Sequence, residues 1–216
     1  MSSASRLRVS AALSAVLFVI GYLVVVVVPG GGQVTESDFT EFYDNDGKLA
    51  LGFLLTVGFF LAAAALAWHF IELRTSVGGS VLAQLAATLG TMGAVALPVG
   101  AAILLAPAGV QLNSDAGFVG VPIAHAFAQA SLGVMLLLGM GLLGVSTILF
   151  SIEIRRAKAD PSWLWIAGIV AGVITLGSFI WVPGLAFPVW LIVLAAAGLR
   201  SNQVAANAPV AAASRA

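Results

Sequence analysis

Residues 49–71 read LALGFLLTVGFFLAAAALAWHFI, a run with no Asp, Glu, Lys or Arg and a single histidine, His69, near its end. Crossing a ~30 Å hydrocarbon core takes ~20 helical residues, and a helix that is apolar on every side has to be surrounded by apolar material. This run meets both conditions and predicts a membrane span. Similar runs lie on either side of it, at 9–28, 80–105, 130–151, 163–182 and 185–199. The whole chain is 61% hydrophobic and 8% charged, against ~25% charged in soluble domains, so it cannot clothe itself in a polar surface. The expected fold is all-α, a polytopic transmembrane helical bundle of six spans forming one domain over residues 1–200. Residues 201–216 have no periodicity or bulky side chain and read as a disordered tail. The first run is too long for a secretory h-region, and PGGGQ lacks a small-x-small cleavage pattern, so it reads as an uncleaved span.

Orientation follows from the basic residues between the runs. With the N-terminus cytoplasmic, Arg6, Arg8, Arg74, Arg155, Arg156, Lys158, Arg200 and Arg215 all lie inside and Lys48 alone outside, as the positive-inside rule requires. Both termini are then cytoplasmic. Trp68, Trp163 and Trp165 fall at the inner boundary and Trp181 at the outer one, the places where indoles favour the headgroup layer. The Ala, Gly and Val bias points to a bacterial plasma membrane.

Several function classes lose their chemistry at this level. Basic patches with interleaved aromatics are missing, so nucleic acid is not an expected partner. There is no cysteine, which removes thiolate metal sites and thiol nucleophiles. The serines have no His or Lys at a catalytic spacing and no H-E-x-x-H occurs, so neither an enzyme nor a cofactor is expected. Spans one, three, five and six contain no Asp, Glu, Lys, Arg or His, which argues against a proton-coupled pump. Small residues mark helix contacts instead: Gly168 and Gly172 in the fifth span, Gly133, Gly139, Gly141 and Gly144 in the fourth, and Ala83, Ala87, Gly90 and Ala94 in the third. They predict packing within one bundle. Pro98 is expected to interrupt the hydrogen-bond ladder of the third span.

Three polar groups stand out. The exofacial segment 30–48 carries Glu36, Asp38, Glu41, Asp44 and Asp46, with Phe39, Phe42 and Tyr43 at helical spacing between them. This pattern suggests a short helix lying on the membrane with its rings in the headgroup layer. His125 and Gln129 sit one turn apart on a helical extension, 121–130, of the fourth span. Counting ~20 residues back from Arg155 puts the outer boundary near Val134, so this pair projects on the side of the acidic segment, with Asp115 nearby. Gln84, Thr88 and Thr91 share the third span, where they could line a polar path through the bundle or bond to the backbone. His69 and Glu72, three apart, are expected at a solvated helix end.

The acidic segment leads from TESDF through DNDGKLALGFLL into the second span, and a close-set final pair contains FPVWLIVLAAAGL. In this ordering, over roughly residues 7–200, the chain resembles a large set of uncharacterised bacterial six-span integral membrane proteins. That resemblance implies the class and carries over no functional residue. The expected function is a non-enzymatic membrane component, either a facilitator for a small or lipophilic molecule or an accessory subunit packing against another membrane protein or a second copy. The alternative is a sensor or binding module whose acidic exofacial segment recognises a cation or an envelope partner.

Overall fold

The computed structural model describes residues 2–29, 35–113, 120–178 and 182–199. Asp115, Trp181, Arg200, residues 30–34 of the acidic segment and the tail 201–216 lie outside them. The described chain is helical: α1 (Ser3–Tyr22), α2 (Val24–Val27), α3 (Glu36–Tyr43), α4 (Asp46–Ser76), α5 (Val81–Asn113), α6 (Val121–Leu132), α7 (Gly141–Arg156), α8 (Leu164–Leu176) and α9 (Ala186–Ala197). Four stretches are long and apolar enough to cross a membrane: Ser3–Val27, Asp46–Ser76, Val81–Leu112 and Val121–Arg156. α8 and α9 are apolar but shorter. At 1.5 Å per residue each rises only ~20 Å, less than a ~30 Å core.

Local chemistry sets the helix ends. Ser2 caps α1 by accepting from the Ser5 N–H at 3.2 Å, and Asn45 caps α4 by accepting from Lys48 at 3.0 Å. Ser80 opens α5 by accepting from Ala83 at 3.0 Å. Each satisfies a donor that the first helical turn leaves free. Gly198 ends α9 with φ +67°, a left-handed conformation that a side chain disfavours. Arg8 donates to the carbonyl of Ala197 at 3.4 Å there, a cation against the negative end of a helix.

Helices α1, α4, α5, α7, α8 and α9 pack in that order, and α9 returns to α1, so the bundle closes into a ring. Its interior is filled. Phe18 of α1 meets Phe59 of α4 and Phe187 of α9 edge-on, at 6.1 and 5.4 Å between ring centres. Phe70 of α4 stacks on Phe150 of α7 at 6.0 Å. Small residues bring the walls together: a Cβ on Gly172 of α8 would fall 2.8 Å from the Gly144 carbonyl oxygen of α7, and one on Gly93 of α5 would fall 2.8 Å from that of Gly139. These glycines therefore pack within the bundle. Most outward-facing residues along the long helices are apolar, among them Leu54, Phe60, Leu137 and Val173, each more than half exposed. A ring with an apolar exterior and a packed centre fits a lipid environment and would be insoluble in water.

The fourth apolar stretch is one helix throughout its 36 residues, ~54 Å of rise, so it outreaches a bilayer core. Its middle departs from α geometry: Gly133–Met140 is π-helical. A π turn widens the helix and shifts the side-chain register on either side of it. α5 continues through both Pro98 and Pro107; the proline interrupts the hydrogen-bond ladder without ending the helix. Ser131 donates to the Gly100 carbonyl at 2.7 Å and Ser146 to that of Ala86 at 2.8 Å, tying α6 and α7 to α5.

Candidate functional site

The two ends of the bundle differ in charge. Arg6, Arg8, Arg74, Arg155, Arg156 and Lys158 gather at one, and α3 with its carboxylates lies at the other.

At the acidic end, α3 forms as its spacing predicts. Thr35 caps it, and Asp38 returns the bond by accepting from the Thr35 N–H at 2.7 Å. The rings do not lie among headgroups, however. Phe39, Phe42 and Tyr43 are each 2% exposed or less, because α3 folds over the end of α4 and α6 as a lid. Gln111 of α5 donates to the Tyr43 carbonyl at 3.2 Å, and burial pushes the Tyr43 phenol up to about 12. Glu36, Asp38, Glu41, Asp44 and Asp46 all stay exposed, and Glu41 pairs with Lys48. His125 is exposed beside the lid but meets the ring of Phe39, edge-on at 6.1 Å, and forms none of the described ion pairs. His125 thus meets α3 on its apolar face, the one turned toward α6. Gln129 is exposed one turn further on. Among the described residues no three His, Asp or Glu side chains are grouped to hold a metal ion.

The Thr35 hydroxyl, and after it the Thr35 N–H, holds the Asp38 carboxyl below its ordinary 3.8. A lowered folded value means that the carboxylate stabilises the lid above that pH and ceases to as pH falls through the lower folded value. Asp38→Asn at neutral pH should therefore loosen α3 as strong acid does. Amide hydrogen exchange should quicken over Glu36–Tyr43 and stay unchanged in α4; equal exchange in variant and parent would refute the capping role.

At the basic end, His69 and Glu72 are buried, not solvated, at 0% and 8% exposed. The ring α1–α4 interface encloses them. Arg6 reaches across from α1 to both Glu72 oxygens, at 3.1 and 3.2 Å, and the Trp68 indole donates to one of them at 3.3 Å. His69 Nδ1 lies 3.3 Å from Ser10 Oγ, and its Nε2 has no described partner.

The third polar group lies on α5. Gln84, Thr88 and Thr91 come together on one side of α5, but this side faces outward: Gln84 and Thr88 are exposed and Thr91 half-buried. They do not line the interior, because the small residues Ala83, Ala86, Gly90 and Ala94 occupy the buried side. Instead they line an open groove of about 620 Å³ between α5 and the π-helical stretch, within the size range of small-molecule sites. Met92, Val95 and Val99 continue the stripe along α5, and Val134 and Leu138 of the π stretch form the facing wall. Ala87 and Ala96 leave its floor shallow enough to be a groove. The mouth at the basic end is held by Arg74, a half-buried residue from the last turn of α4. Thr88 bonds back to the Gln84 carbonyl at 3.0 Å, so its methyl is free to face the groove. The helical spacing of 84, 88, 91 and 95 was readable in the sequence; Arg74 and the π-stretch wall come from other helices and had no local signal.

No protein-family model matches the chain, and neither a curated protein nor a solved structure is similar to it. The groove is polar at one end and apolar along the rest, open on its long side to whatever surrounds the bundle. That arrangement can hold an elongated amphiphile.

Proposed function

We propose that this chain is a non-enzymatic component of a bacterial plasma membrane that accommodates a lipophilic molecule on its outer wall, as a facilitator or as a subunit presenting that molecule to another membrane protein. It crosses the bilayer six times as one domain, with both termini cytoplasmic. The groove between α5 and the π-helical stretch is the observation that carries this reading. A surface that only needed to meet lipid would be uniformly apolar, whereas this one turns Gln84, Thr88 and Thr91 outward along a concave path, a placement lipid alone would penalise. The gathering of Arg6, Arg74 and Arg155 at one end supports a cytoplasmic assignment for that end. Support for six crossings comes from the apolar run 163–182, longer than α8 itself.

A photoactivatable monoacylglycerol in proteoliposomes tests the reading. Crosslinks are expected to concentrate on Thr91, Val95 and Leu138 and to fall when unlabelled monoacylglycerol is added. Labelling spread evenly over other exposed positions such as Leu54, Phe60 and Val173, with no competition, would remove it.

A further inference from the structure

Resting on that reading, we propose that the groove is a site for an anionic membrane lipid of the leaflet at the basic end, with its headgroup at Arg74 and an acyl chain along α5. Two observations converge on this occupant. First, Arg74 is the cation at the groove mouth, and its guanidinium makes no hydrogen bond or ion pair among the described residues. The neighbouring carboxylates are already committed, Glu72 to Arg6 and Glu153 to Arg156 and Ser80. An unpaired guanidinium on a half-buried arginine in a chain this apolar calls for an anion, and its planar fork suits phosphate.

Second, the polarity falls in the order a lipid requires. Gln84 and Thr88 stand within the first two turns of α5, level with Arg74 at the end of α4, where a glycerol backbone and ester carbonyls would lie. Beyond Thr91 the lining is Met92, Val95, Val99, Val134 and Leu138. A partner helix would not need a cation at one end only.

The test uses the full chain, exchanged into mixed micelles with equimolar phosphatidylglycerol and phosphatidylcholine and read by native mass spectrometry. Wild type should retain phosphatidylglycerol over phosphatidylcholine by about fivefold, the ratio corresponding to one basic contact. Arg74→Gln should abolish the preference while keeping some lipid of both kinds, and Arg74→Lys should keep part of it. Thr91→Trp, whose indole fills the groove at its centre, should lower retention of both. Arg74 and Thr91 hold no described partner, so both variants should keep the parent's thermal midpoint in lipid-free detergent, and that control accompanies the experiment. An unchanged preference in Arg74→Gln would overturn the headgroup assignment, yet would leave the lipophile reading standing if Thr91→Trp still lowered retention. No retention in the wild type would overturn both. A dimer that Thr91→Trp dissolves, without any headgroup preference, would give the groove to a second copy and overturn the proposal.

Discussion

Gly172→Val is expected to cost this protein about 3 kcal/mol, the upper part of the range for overpacking a tight contact, and to lower its thermal midpoint in detergent sharply. α7 and α8 meet backbone to backbone at this point. A Cβ on Gly172 would lie 2.6 Å from Ile148 Cγ1, 2.8 Å from the Gly144 carbonyl oxygen and 3.2 Å from the Ile148 nitrogen. Two of those three atoms are main chain and cannot rotate away, so the helices must separate. In lipid no hydrophobic force would restore the contact, since association there depends on close packing. Gly168→Ala should be milder, because its Cβ meets side chains only, the Ser151 hydroxyl and the edge of the Trp190 ring, which can shift without moving a backbone. Gly133→Ala and Gly141→Ala meet nothing within 4 Å and should be neutral. If Gly172→Val and Gly133→Ala melted together, the glycine contact would not be what joins α7 to α8.

The same glycines show how far the sequence reached. Apolar runs such as 49–71 announce themselves, because a bilayer demands length and nothing else in water tolerates it. Small residues at 83, 90 and 94 marked the buried side of α5, and that implied the outward aim of 84, 88 and 91, which lie on the other side of the helix. α3 was legible as a helix, yet an amphipathic pattern serves equally for lying on a membrane and for closing a bundle. Only the position of α6, set by a helix eighty residues downstream, decides where Phe39 and Phe42 go. The π-helical stretch GVMLLLGM has no local signature, being composed of ordinary helix formers and glycine. The groove depends on it and on Arg74 from α4, so the site was legible in its polar stripe and illegible in its walls.

Arg6→Ala is the second large effect expected, about 2 kcal/mol, and its asymmetry is the point. Arg6 is 47% exposed at its side chain and Glu72 only 11%. Removing the arginine leaves a nearly buried carboxylate in the last turn of α4, where the helix dipole also opposes a negative charge. Trp68 would be its remaining described side-chain donor. Glu72→Gln instead leaves a guanidinium that water and headgroups can reach, so it should cost less than about 1 kcal/mol. The double variant should then be more stable than Arg6→Ala alone, since the amide no longer carries the charge that needed compensation. Thermal midpoints of the four proteins in one detergent check this order. Equal, small losses from both single variants would mean that the pair is a solvated surface contact. The consequence reaches the fold, because α1 is held to α4 by Arg6 and to α9 by Arg8 on the Ala197 carbonyl. Freeing the first of these anchors loosens the ring where α1 meets α4, and the Ser10–His69 pair one turn deeper should show it as faster hydrogen exchange in α1 than in α5.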